Sequence, residues 1–80
     1  MILGRQIAAA RALVGIGQKE LAEQANISIP TLKRMEASDG HATGLANNVS
    51  AVRAALEKAG ITFLDNGDVS PGPGVALRQE

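Results

Sequence analysis

Two adjacent cations, Lys33 and Arg34, follow closely on the small run Ser28-Ile29-Pro30-Thr31. Lysine and arginine neutralise phosphate, and the planar guanidinium also matches guanine O6 and N7 with two parallel hydrogen bonds. The hydroxyls of Ser28 and Thr31 suit phosphate oxygens or base edges. Ile29 and Pro30 can touch thymine methyl groups but can hydrogen-bond no base edge. Gln18 adds a further amide upstream. This is chemistry for recognition, and no set of nucleophile, base and orienting group accompanies it. His41 is the sole histidine, and the chain has no cysteine to share a metal with it, so it reads as an uninvolved loop residue. The glycines of Pro71-Gly72-Pro73-Gly74 do not follow a strand and open a helix, as a phosphate-cradling loop requires. The expectation is a protein that is not an enzyme, with no cofactor and no metal.

Such side chains need rigid elements to aim them. Ile7, Ala10, Leu13 and Val14 are read as one stripe of a first helix filled with alanine and ended by Gly15. A second helix is predicted from Gln18 to Ala25 with Leu21, Ala22 and Ala25 inward, and Asn26 makes the turn because asparagine tolerates the left-handed conformation. Ser28 is a strong N-cap for a third helix over Ile29–Ala37, and Pro30 sits in its first turn, where a missing N–H costs little. At about 100° per residue, Leu32, Met35 and the Ser28 cap fall on one side of that helix. Pro30, Lys33 and Arg34 fall on the other, flanked by Ile29 and Thr31. Residues 38–47 read as a loop. Asn47 or Asn48 caps a fourth helix that reaches Ala59, with Val49, Val52 and Leu56 inward and Gly60 as its stop. Ile61–Leu64 reads as a short strand, Asp65–Asp68 as a turn and Val75–Arg78 as a second short strand.

A helix, a turn of about three residues and a second helix between Gln18 and Ala37 form the minimal unit that reads a DNA major groove. Gln18-Lys19-Glu20-Leu21-Ala22-Glu23-Gln24-Ala25, then Asn26-Ile27-Ser28, then Thr31-Leu32-Lys33-Arg34-Met35-Glu36, resembles the Cro/cI-type helix-turn-helix of the XRE family. Arg11-Ala12-Leu13-Val14-Gly15 resembles that family's first helix, and the likeness spans about residues 4 to 37. It implies an all-α, lambda-repressor-like domain of four helices, here followed by a short C-terminal β appendage. It also implies that Gln18 bonds a DNA phosphate, that Ser28 and Thr31 contact backbone or base edges, and that Arg34 reads a base. Lys33 would meet phosphate or an outer base, and Arg11 with Glu36 would form a structural ion pair. The sequence departs from the pattern at three places: Gly17 stands where the family has Ser or Thr, Asn26 where it has the turn glycine, and Ile29-Pro30 where it has polar base-contacting residues.

The composition sets the remaining bounds. Eighty residues make one thin core, for which a partner chain is a common remedy. Without cysteine there is no disulfide, and with no signal peptide or membrane span the expectation is a cytoplasmic protein. Net charge is zero, but residues 1–38 carry five cations against three carboxylates while the rest is acidic, and a local basic face matters more for phosphate than the total. The reading is therefore residues 1–60 as a sequence-specific double-stranded DNA-binding regulator, probed by the helix over 29–37, and residues 61–80 as a strand and tail. Ile61, Phe63 and Leu64, which include the chain's one aromatic, would pair across a two-fold axis to give a homodimer. The rival reading is a protein-interaction module, an antitoxin or anti-repressor on the same scaffold, with a regulatory protein as partner.

Overall fold

A computed structural model describes residues 2–38, 40–65 and 70–78. The chain is mostly helical: α1 (Gly4–Val14), α2 (Gln18–Ala25), α3 (Ile29–Glu36) and α4 (Ala46–Lys58) precede a two-stranded antiparallel sheet of β1 (Ile61–Leu64) and β2 (Gly74–Leu77).

Local chemistry accounts for the helix ends. Gly15 takes the left-handed conformation at φ 74° and its N–H bonds the Arg11 carbonyl at 2.8 Å, which closes α1. Asn26, at φ 57°, closes α2 in the same way. Ser28 Oγ accepts the Thr31 N–H at 3.2 Å to open α3. The start of α4 differs from the expected asparagine cap. Leu45 holds the N-cap position without a side-chain bond, and Asn47 and Asn48 lie within the first turn.

Burial follows the helical period in α2, α3 and α4. Leu21, Ala22 and Ala25 of α2, Leu32 and Met35 of α3, and Val49, Val52 and Leu56 of α4 are all buried. In α1 the stripe is Ile7, Ala10 and the partly buried Val14. Leu13, expected in that stripe, is 46% exposed. It lies about 120° round the helix from Ile7, so its apolar character does not place it inward.

The connection from α3 to α4 is bound to the N-terminus rather than left loose. Ala42 N–H bonds the Ile2 carbonyl and Gly4 N–H bonds the Gly40 carbonyl, each at 3.0 Å, and Ala42 is buried.

The sheet belongs to the same core as the helices. Its register pairs Ile61 with Leu77 and Phe63 with Val75. The second strand thus begins at Gly74, one residue before the expected Val75. Ile61 and Phe63 join one apolar cluster with Ile7, Leu56 and the rest, so packing shows no break at residue 60. Gln6, buried in α1, reaches both strands: its amide N–H donates to the carbonyls of Leu64 at 3.3 Å and Gly74 at 2.8 Å. The same side chain accepts the Leu3 N–H at its Oε1, so no donor or acceptor of this buried amide is left without a partner. Arg78 ties the far end, donating to the Glu57 carbonyl at 2.7 Å. The expected turn at Asp65–Asp68 lies, beyond Asp65, outside the described residues.

Ile61, Phe63 and Leu64, expected to pair with a second copy, pair instead with β2 of their own chain. Ile61 and Phe63 are covered by their own chain, Leu64 is half-buried, and β2 supplies the pairing edge that a second copy was expected to bring. The edge of β1 that faces β2 is therefore satisfied within the chain, and Ile61 and Phe63 are withdrawn from solvent. Phe63 is also capped by the Arg53 guanidinium, 5.2 Å from the ring centre. Phe63→Leu is therefore expected to lower stability by about 1 kcal/mol through imperfect packing, without changing the mass found by light scattering. A change of oligomeric state with an unchanged melting temperature would contradict this placement.

Candidate nucleic-acid interface

Helix α3 is held from one side and open on the other. Leu32 and Met35 sink into the core, while Ser28, Pro30, Lys33 and Arg34 are exposed, Ile29 is 37% exposed and Thr31 is half-buried. An α-helix with its side chains is about 10–12 Å across, which a B-DNA major groove of about 12 Å can admit. Three residues, Asn26, Ile27 and Ser28, separate α3 from α2.

The hold on α3 comes from Glu36 at its last turn. Arg11 of α1 grips this carboxylate with two hydrogen bonds of 2.8 Å, one from Nε and one from an Nη. Parallel bonds of this kind fix orientation as well as distance. A third Arg11 donor reaches the Ile16 carbonyl at 3.2 Å. The hydrogen bond from Glu36, and then its charge, hold the Arg11 proton more firmly than usual, against the opposing effect of burial. Gln18 joins the same carboxylate: its amide N–H donates to Glu36 Oε1 at 3.2 Å. The residue expected to bond phosphate is thus already engaged through one of its donors and remains only half-buried.

On the open face the hydroxyls are organised among themselves. Ser28 Oγ and Thr31 Oγ1 lie 2.7 Å apart in a hydrogen bond, and Arg34 Nη2 donates to Thr31 Oγ1 at 3.4 Å. This row follows the i, i+3 spacing of one helix face. Neither Lys33 nor Arg34 meets a carboxylate among the described residues, where the ion pairs are Arg11–Glu36 and Arg53–Glu57.

The structure adds residues to this face that the sequence did not mark. Thr43, Gly44, Leu45 and Asn48 stand opposite Thr31 and Arg34 across an open cleft of about 440 Å³. Ser38 brings them there. Its Oγ donates to the Arg34 carbonyl at 3.1 Å, pairs with Thr43 Oγ1 at 3.0 Å and accepts the Thr43 N–H at 3.2 Å. Leu45 is 69% exposed beside this cleft. Among the described residues no carboxylate lines it.

Elsewhere the surface assembles little chemistry. An open cleft between α2 and α4, lined by Gln24, Ala55, Lys58 and Ala59, gathers one amide and one cation. His41 is exposed and opposite Leu3 in a bridge. Among the described residues no three His, Cys, Asp or Glu side chains are grouped to hold a metal ion, and no helix is long and apolar enough to cross a membrane. No protein-family model matches the chain, and no curated protein matches it in sequence.

Proposed function

We propose that the chain binds double-stranded DNA sequence-specifically and regulates transcription in the manner of Cro/cI-type helix-turn-helix proteins. In this reading α2 braces α3 across the groove and α3 lies in it. The observation that carries the reading is the open face of α3, with two cations unmatched by any described carboxylate beside a row of small hydroxyl and apolar side chains. The opposite face of the same helix is anchored by Leu32, Met35 and the Arg11–Glu36 pair, so these groups are presented on a rigid support. Two copies on a palindromic site would set their α3 helices one DNA turn, roughly 34 Å, apart. The reading makes the protein a cytoplasmic homodimer without catalytic activity.

A gel shift with random genomic fragments tests it. Binding is expected at low salt and should weaken as salt rises, because contacts to phosphate release counterions. Arg34→Ala should cost about 1–3 kcal/mol on the selected site and relax preference at one base pair. Lys33→Ala should weaken all sequences alike and reduce the salt slope by about one. Undiminished, equally selective binding by Arg34→Ala would remove Arg34 from the site. No shift at any salt would overturn the reading and favour a protein-interaction module, which the exposed Ile29 and Leu45 would also suit.

A further inference from the structure

We propose that Ile29 and Leu45 make the open face of α3 a reader of pyrimidine 5-methyl groups, so that the preferred duplex carries thymine next to a guanine held by Arg34. The proposal rests on the DNA-binding reading and names what that site selects. Large apolar side chains exposed among the described residues are Leu13, Ile29, Leu45 and Leu77. Of these, Ile29 opens α3 and Leu45 lines the cleft shared with Thr31 and Arg34. Leu45 thus shares a cleft with Arg34, and Ile29 is exposed at the start of the same helix as Arg34.

The major-groove edges of the bases offer hydrogen-bond donors and acceptors, and the thymine methyl is the apolar exception. An isoleucine or leucine pressed on any other edge would leave that edge's polar groups dehydrated and without partners, which is unfavourable. Against a methyl the same side chain gains dispersion contact and removes apolar area from water. Arg34 gives one donor to Thr31 and has others free for guanine O6 and N7. An apolar peptide would also cover Ile29 and Leu45. Two cations that meet no described carboxylate, and a cleft lined by no described carboxylate, instead favour a ligand that carries anions alongside its methyl groups.

The test replaces thymine by uracil, which deletes only the methyl. Duplexes bound by the full chain are selected from a random pool, and the tightest is remade with uracil throughout. Each contacted methyl should account for about a fourfold loss of affinity. The penalty should shrink towards none in Ile29→Ala and in Leu45→Ala, compared at a temperature where melts show each variant folded; at Leu45, 69% exposed, the melting temperature should stay near that of the parent. Equal affinity for the thymine and uracil duplexes would overturn the methyl reading while leaving DNA binding intact. A uracil penalty that persists undiminished in both variants would overturn the assignment to these residues. Failure to bind any duplex at low salt would overturn this inference and the DNA-binding reading together.

Discussion

Gly4→Ala is expected to melt well below the parent protein. Gly4 begins α1 where that helix abuts the end of α3. A Cβ built there would collide with the Met35 carbonyl oxygen and lie 3.1 Å from that of Glu36 and 3.2 Å from that of Ser38. All three neighbours are backbone, so no rotamer change relieves them, and the α1–α3 junction itself must open. Overpacking of a side chain costs about 1–3 kcal/mol, and a collision with backbone belongs at the upper end. Alanine's better helix propensity opposes this by about 1 kcal/mol at most, and by less at a helix end. The clash wins, and a net loss of about 2 kcal/mol corresponds to roughly 8–16 °C in a domain of this size. Thermal melts followed by circular dichroism decide the matter, and a variant that melts at or above the parent would show that α1 and α3 are not in such close contact.

The second large effect is expected at the Arg11–Glu36 pair, and it should be asymmetric. The side chain of Glu36 is 8% exposed and that of Arg11 is 21% exposed. Arg11→Ala strands the more buried charge, with the Gln18 amide as its remaining side-chain partner. Glu36→Ala strands the more exposed charge, which keeps its bond to the Ile16 carbonyl. Breaking a fully buried pair costs about 3–5 kcal/mol. The solvent that reaches Arg11 lowers the figure for Glu36→Ala to about 2 kcal/mol, and Arg11→Ala should lie above it. Removing both leaves no unpaired charge, so the double variant should be more stable than the sum of the single losses implies, by about 1–3 kcal/mol. Strictly additive losses would mean that the two side chains do not interact in solution. Glu36→Gln should fall between parent and Glu36→Ala, because an amide oxygen still accepts from Arg11 but carries no charge.

Much of the helical framework was legible because its causes are local. Gly15, which has no Cβ, and Asn26 adopt the left-handed conformation that these two residue types tolerate, and Ser28 bonds an N–H three residues ahead. The division of α3 into a buried and an open face follows from the helical period acting on eight consecutive residues. The misplacement of Leu13 marks the limit of that reading. Where apolar residues are dense, as in the alanine-rich α1, several phases fit the pattern and only the partner surfaces choose among them. Asn47 and Asn48 fail as caps for a related reason. Cap preference is worth about 1 kcal/mol, and the packing of Val49, Val52 and Leu56 together with the loop bonds at Ala42 starts α4 earlier.

By itself, then, the sequence determined where the chain turns, which helices form and which face of α3 carries the cations, since each depends on neighbours within about one helical turn. Tertiary structure alone decided what those elements meet. It paired Gln6 with Gly74 across 68 residues and Arg11 with Glu36 across 25. It drew one Gln18 donor onto Glu36, made Gly4 the point where two helices touch, and brought Leu45 beside Arg34. It also settled the fate of Ile61 and Phe63. An apolar strand carries no mark of whether its partner edge will be its own chain or another copy. The outcome depends on whether a second strand can return to it and on whether α1 and α4 offer a surface to cover it. Here β2 returns, and both side chains are buried within the chain.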